Sequence, residues 1–290
     1  MTLQSDKTKK KIHLSGICGT AMASLAGLLQ LEGHTVTGSD KAAYPPMSDL
    51  LASLGIAIKQ PYDEKNLDDA PDLVVIGNAL SRGNPEVERI LDERIPFTSM
   101  AALLHDEFLK NREPLVVAGT HGKTTTTSML AWIYETASQE NPTLEPSFLI
   151  GGVAENFGTS FQLKPTKPFI VEGDEYDTAF FEKTPKFWHY RPEVAIVTSI
   201  EHDHIDIYPT MDGYRDAFRG FVSRRFGAYI GIGSKSQLYP GTVRLVSKPP
   251  ILAIALGGKL AGNNSKVEVP AIAQHVVGGA PRRVKYLDVA

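Results

Sequence analysis

The sequence predicts an α/β protein. A Rossmann-like N-terminal domain is followed by a P-loop-type central α/β domain, and the pattern is truncated or divergent after about residue 222. Three observations predict this. Short apolar runs of the kind that form buried parallel strands recur at Lys11–Leu14, Asp72–Gly77, Leu115–Ala118, Phe169–Glu172 and Val194–Ile200. The first and third of these end in glycine-bearing turns that open into helix-like stretches. At 290 residues the chain is long enough for two cores. The expected divisions are 1–107, 108–222 and a tail over 223–290, with Lys110–Pro114 as the first linker.

In the first domain, a helix is expected from Thr20 to Glu32, where Leu25, Leu28 and Leu29 share one face and Gly33 ends the run. His34–Asp40 then reads as a second strand closing on an acid. Strand, glycine loop, helix, strand and acid in that order are the signature of a dinucleotide-type fold. Against the G-x-G-x-x-G/A fingerprint, Gly16 and Ala21 fit, and Cys18 stands at the second glycine position. A βαβ unit without a ligand is the alternative. Asp40 is placed either on a ribose hydroxyl or as a solvated cap. Cys18 is either a thiol activated by a helix N-terminus or a small packing residue. Asn78, Ser81 and Arg82 follow the Asp72–Gly77 strand, at the edge where open α/β sheets bind ligands.

The central domain carries the most informative segment. Leu115–Thr127 runs from an apolar strand through Gly119, Thr120, His121, Gly122, Lys123, Thr124 and Thr125 into an amphipathic stretch. Glycines let backbone N–H groups surround phosphate oxygens, Lys123 adds a point charge, and Thr124 offers a hydroxyl to Mg²⁺. The generic pattern is half met, because Val117 stands where its first glycine belongs. Glu172 ends the Phe169 strand, where nucleotide-dependent enzymes hold Mg²⁺, and the acidic run Gly173–Asp177 follows. The Val194 strand leads into Glu201-His-Asp-His204-Ile-Asp206. A zinc reading of His202 and His204 lacks a third ligand at suitable spacing, and a solvated turn is the bland alternative.

Composition narrows the class. Apolar content of 42% and charged content of 22% exclude a disordered or fibrous chain. The single cysteine excludes a disulfide framework and fits a reducing, cytoplasmic compartment. Only Ile12-His13-Leu14 separates the N-terminal lysines from Ser15 and Gly16, so no signal-peptide core is read there. No apolar run reaches the length of a membrane span, so no membrane partner is expected. The net charge of −3 conceals a break: residues 223–290 carry ten Lys and Arg against two Asp and Glu. These bases are scattered among Gly, Pro and Val, so no nucleic-acid partner is read.

Gly119-Thr-His-Gly-Lys-Thr-Thr125, Glu172-Gly-Asp-Glu-Tyr-Asp177 and Glu201-His-Asp-His-Ile-Asp206 resemble the three central motifs of the Mur ligases. Gly16-Ile-Cys-Gly-Thr20, Tyr44-Pro-Pro-Met-Ser48, Phe148–Gly152, Asn156–Gly158, Glu175–Lys183 and His189-Tyr-Arg-Pro192 resemble one peptidoglycan-recycling branch of that family. The folate-polyglutamate branch shares the central motifs but does not begin with such a nucleotide domain. The resemblance implies an ATP-dependent ligase that joins a murein tripeptide, L-Ala-γ-D-Glu-meso-diaminopimelate, to the lactyl carboxylate of UDP-N-acetylmuramate through an acyl phosphate. It implies Lys123 on the ATP phosphates, Thr124 on one Mg²⁺, and Glu172 with His204 on a second. It also implies that the Gly16–Thr20 loop, including Cys18 and Gly19, takes the UDP pyrophosphate, with Asp40 nearby on the nucleoside; Asn78 and Ser81, from the sheet edge, are the further candidates for the UDP-sugar.

Family members continue into a third domain that receives the amine. After Val222 this chain departs from that pattern, and its charge break points to a frameshifted reading frame or a divergent replacement. A non-catalytic module that binds a UDP-sugar and ATP is the reading from another class.

Overall fold

A computed structural model describes residues 8–223 and 228–231. The strand-like piece Ile251–Leu256, and the expected tail beyond 231, lie outside the described residues. The first domain is built of β1 (Lys11–Ser15), α1 (Thr20–Leu31), β2 (Thr35–Ser39), α2 (Met47–Ser53), β3 (Ile58–Lys59), β4 (Leu73–Ile76), α3 (Pro85–Asp92), β5 (Phe97–Ser99) and α4 (Met100–Leu104). Its sheet has the order β3-β2-β1-β4-β5, and every pair is parallel. The order reverses direction at β1, so the crevice beyond the carboxyl ends of β1 and β4 is where such a sheet takes a ligand. Asn84 caps α3 by accepting from the Glu86 and Val87 amides, and Pro85 begins the helix with its φ already set.

The central domain continues with β6 (Glu113–Ala118), α5 (Lys123–Ser138), β7 (Ser147–Ala154), β8 (Thr159–Gln162), β9 (Pro168–Glu172), β10 (Asp177–Ala179), β11 (Glu182–Pro185), β12 (Val194–Val197), α6 (Met211–Ser223) and β13 (Ala228–Gly231). The main sheet runs β13-β12-β6-β9-β7-β8, parallel except for the β7–β8 pair. Leu115–Ala118, Phe169–Val171 and Val194–Val197 are buried, as strands covered on both faces must be. The expected Val194–Ile200 strand stops at Val197, because Ser199 turns to accept from the Thr120 amide of the phosphate loop. The expected break at 222 falls at the end of α6, yet β13 still adds a parallel strand to β12 beyond it.

A run of threonines is a poor helix former, yet α5 opens on four of them. Thr127 Oγ1 and Ser128 Oγ donate to the carbonyls one turn back, at Lys123 and Thr124, which satisfies those hydroxyls inside the helix. Leu130 and Ala131 then bury the helix against the sheet. Among the described residues no helix is long and apolar enough to cross a membrane.

One contiguous apolar core runs from Ile12 and Leu14 through α1 to Leu149, Phe161, Phe169 and Phe218, and so joins the two domains. Helix α1 is the joint. Ser24 Oγ lies 2.7 Å from Ser160 Oγ on β8, and a Cβ on Gly27 would sit 2.1 Å from the Phe161 ring. Gly27→Ala tests how tight this joint is. A helix-interior alanine gains about 1 kcal/mol over glycine, whereas forcing a methyl into a packed interface costs about 1–3 kcal/mol. The expected result in urea unfolding is therefore a net loss of about 1 kcal/mol. A stabilised variant would show that Phe161 has room to swing aside.

Candidate active site

The phosphate loop is shaped by two glycines in the left half of the backbone map. Gly119 has φ +136°, and a Cβ there would lie 2.1 Å from Thr198 Oγ1. Gly122 has φ +75° and ends the loop where α5 begins. No side chain caps that helix, so its first amides remain available at the loop, alongside the exposed His121, Gly122, Thr124 and Thr125. Thr120 is the loop's buried anchor. Its hydroxyl bonds to the Glu201 carbonyl and amide and lies 3.0 Å from the Tyr214 hydroxyl. Burial pushes the Tyr214 phenol above its ordinary range, so it stays neutral in that contact.

Lys123 does not float over the loop. Its Nζ donates to the Gly119 carbonyl at 2.6 Å and pairs with Glu175, whose carboxylate oxygens lie 3.1 and 3.2 Å away. Glu175 is fully buried and also meets His204 Nε2 at 3.3 Å and the Tyr214 hydroxyl at 3.3 Å. The other ring nitrogen of His204 lies 2.8 Å from the Tyr176 hydroxyl. His204 therefore stands beside Glu175 with both ring nitrogens engaged, rather than sharing a pair with Glu172. His202 reaches the Tyr208 carbonyl instead, at 2.8 Å. Among the described residues no group of three or more His, Cys, Asp or Glu is arranged to hold a metal.

Glu172 has a different environment. Thr124 Oγ1 donates to Oε1 at 3.0 Å, and the Gly151 amide donates to Oε2 at 2.9 Å. Gly151 must be small, because a Cβ there would come within 2.7 Å of that carboxylate. Burial pushes the Glu172 carboxyl up, and the Gly151 and Thr124 bonds and the Lys123 charge only partly offset it. A half-desolvated carboxylate beside a threonine hydroxyl is a hard oxygen donor set with charge to spare. It suits Mg²⁺.

The first domain brings its own glycine loop to this place. Gly16, with φ +88°, and Ile17 both donate to the Ser39 carbonyl, which folds the loop over the end of β2. The Cys18 amide donates to Asp40 Oδ2 at 2.9 Å, while Tyr62 donates to Oδ1 at 3.2 Å. Asp40 thus ties the loop to the strand. Burial and the neighbouring Asp40 push the Cys18 thiol up to about 11, which overturns the activated-thiol alternative and leaves the packing role. Beneath the loop, Glu86 is fully buried and accepts from Ser15, Ser39 and Asn66 at 2.5, 2.6 and 2.8 Å. Arg82 forms a forked pair with Glu88, and the Ser81 hydroxyl lies 3.4 Å from the Arg82 carbonyl.

A cavity of about 340 Å³ lies between the two loops. Its wall includes Gly19, Thr20 and Met22 at the start of α1, Asn78 from the first sheet's edge, and Lys123 and Glu172 from the central domain. Of the residues expected to hold a UDP-sugar, Gly16, Cys18, Asp40 and Ser81 are not among the cavity's lining.

Residues 11–111 match the model described as Mur ligase family, catalytic domain, and residues 117–232 match that of the Mur ligase middle domain. The structure of UDP-N-acetylmuramate:L-alanyl-γ-D-glutamyl-meso-diaminopimelate ligase from Neisseria meningitidis superposes with a TM-score of 0.74 at 41% identity. That match covers 80% of this chain and 74% of the other. The chain belongs to the Mur ligase family. Ligases named for the same substrates from Haemophilus influenzae and Escherichia coli are 47% and 48% identical over 73% of this chain. The chain spans about half the length of these curated relatives, 46% and 45% respectively. The Mur ligase match runs to residue 232, so it takes in β13 and extends past the expected break at 222.

Sequence reasoning left four residues of this Mur ligase site without roles: Glu175, Asp174, Lys186 and Glu86. The first two lie inside the quoted Gly173–Asp177 run, where nothing in the sequence separates buried Glu175 from half-buried Asp174 and exposed Tyr176.

Proposed function

We propose that this chain carries the ATP- and acid-binding half of a ligase that activates the lactyl carboxylate of UDP-N-acetylmuramate for attack by a murein tripeptide amine. The observation that supports this best is the shared cavity. The uncapped start of α1, suited to a pyrophosphate, opens on the same space as Lys123 and Glu172. An acid anchored by its nucleotide in the first domain then presents its carboxylate to a phosphoryl group anchored in the second.

The chemistry asks for positioning and charge neutralisation rather than a protein nucleophile. A carboxylate oxygen attacks the γ-phosphorus, the bond to the bridging oxygen breaks, and ADP leaves. The amine then attacks the acyl carbon, phosphate departs and the amine loses a proton. In this reading Lys123 and the α5 amides hold the phosphates, and Thr124 and Glu172 hold Mg²⁺. Bound there, the ion would neutralise charge on the transferred group. His204 and Glu175 keep Lys123 aimed at the loop. ATP and UDP-sugars are cytoplasmic metabolites, and the cytoplasm is the compartment we infer.

Calorimetry on the chain tests the first half of this proposal. UDP-N-acetylmuramate is expected to bind and NAD is not, since the acid at the end of β2 is already engaged by Cys18, Lys41 and Tyr62. Tight NAD binding without UDP-N-acetylmuramate binding would return the domain to a dehydrogenase-like reading.

A further inference from the structure

The cavity between the domains is lined by two cations, Lys123 and Lys186. Lys123 is committed to the phosphate loop by its bonds to Gly119 and Glu175. Lys186 is 8% exposed and starts a short 3₁₀ turn over Lys186–Trp188. That turn is fixed at both ends of the acidic run, since the Lys186 amide donates to the Tyr176 carbonyl and the Phe187 amide to the Asp174 carbonyl. The side chain then folds back along the same run. Its Nζ is 2.8 Å from Asp174 Oδ2 and 5.7 Å from the centre of the Tyr176 ring.

An ammonium group has three donors, and this one gives one of them to Asp174. A buried lysine needs a partner to keep its charge, and Asp174 supplies it. The pair is thus a neutral unit in the cavity wall whose ammonium keeps donors beyond the one given to Asp174. Such a unit can bind an anion without burying an uncompensated charge beforehand. The same cavity is lined by Met100 of the first domain and by Tyr190, four residues after Lys186, whose hydroxyl contacts the Met100 sulfur across the domain boundary. Lys186 thus belongs to the segment that reaches the first domain through Tyr190, while Lys123 stands at the phosphate loop. A reaction between a carboxylate and a polyphosphate brings two anions together, and a cavity that also holds Glu172 needs a donor on each side.

We infer that Lys186 holds the reacting carboxylate of the acid substrate, and so distinguishes a UDP-sugar acid from the same UDP-sugar lacking the acid. This rests on the UDP-sugar reading of the first domain. The test is calorimetry on the full chain with UDP-N-acetylmuramate, with UDP-N-acetylglucosamine, which lacks the lactyl acid, and with ATP. Wild type is expected to prefer the acid by about tenfold or more, as charge-assisted bonds do. Lys186→Met is expected to bring that ratio close to one, leaving affinity for UDP-N-acetylglucosamine and ATP unchanged, and Lys186→Arg to retain most of it. An undiminished ratio in Lys186→Met would overturn the assignment, as would a parallel fall in all three affinities, which marks a structural role. Wild-type protein that binds neither UDP-sugar would instead overturn the reading beneath it, and this assignment with it.

Discussion

Lys123→Ala is expected to lower ADP release dependent on UDP-N-acetylmuramate by about two to three orders of magnitude, the range seen when one preorganised donor to developing charge is removed. The loss should fall on the chemical step, because the lysine meets charge that grows as the phosphoryl group transfers. Affinity for UDP-N-acetylmuramate should persist, since that ligand is held mainly by the first domain in the proposed arrangement. The substitution also strands Glu175, which is fully buried and keeps only His204 and Tyr214 as partners. Far-UV circular dichroism and a denaturation midpoint must therefore accompany the assay. A folded variant that turns over at the wild-type rate would remove the loop from the mechanism.

The second large effect is on stability. Glu86→Ala is expected to cost about 3 kcal/mol or more, because it leaves buried Ser15 and Ser39 without this acceptor and takes one of two from half-buried Asn66. It also removes the carboxylate 3.7 Å from His13 Nε2, leaving that ring its contacts with Thr37 and Ser39. Burial pushes the Glu86 carboxyl up, but bonds from His13, Ser15, Ser39 and Asn66 outweigh it and leave the group below its ordinary value. A carboxyl depressed in the folded state contributes stability above its unfolded value of about 4.3, and that contribution fades as pH falls through the folded value. Urea unfolding should therefore show a wide gap between wild type and Glu86→Gln at pH 7 that narrows below about pH 4. A gap that is constant from pH 7 to pH 3 would mean that the carboxylate's charge is not what the network uses. Ser15 and Ser39 immediately precede the Gly16 loop and Asp40, so a weaker grip on the UDP-sugar should accompany the loss.

These two sites mark what was legible in the sequence and what was not. Lys123, Thr124 and Glu172 were readable because strand ends and a glycine turn are local signals, and the structure brings them together as three neighbours on one loop and one strand end. Buried strands β1, β4, β6, β9 and β12 announced themselves by continuous apolar runs. Glu175 did not, because its burial depends on Lys123 fifty-two positions earlier, delivered by the pairing of β6 with β9. In the sequence it is one acid among several and looks solvated. Glu86 follows a helix-starting Asn84-Pro85 pair, where an acid usually faces water, and only the ends of β1 and β2 turn it inward. The β10–β11 hairpin was missed for the same reason, since Asp177–Ala179 and Glu182–Pro185 have little alternation to read.

The strand order of the central sheet has a consequence for how the chain assembles as it leaves the ribosome. The first sheet grows from its middle strand, β1, whose neighbours β2 and β4 follow at 35–39 and 73–76, and Phe97–Ser99 completes it at the edge. The central sheet also starts from its middle, but the wait is longer. Its middle strand, β6, is made first, yet its two neighbours are β9 and β12, which follow only at 168–172 and 194–197. Long-range parallel pairing pays its loop entropy before any partner rewards it. Until β12 arrives, the edge of Leu115, Val116 and Val117 opposite β9 has no strand to pair with. During synthesis, therefore, the N-terminal domain is a finished object while the central domain is still a sticky nascent segment.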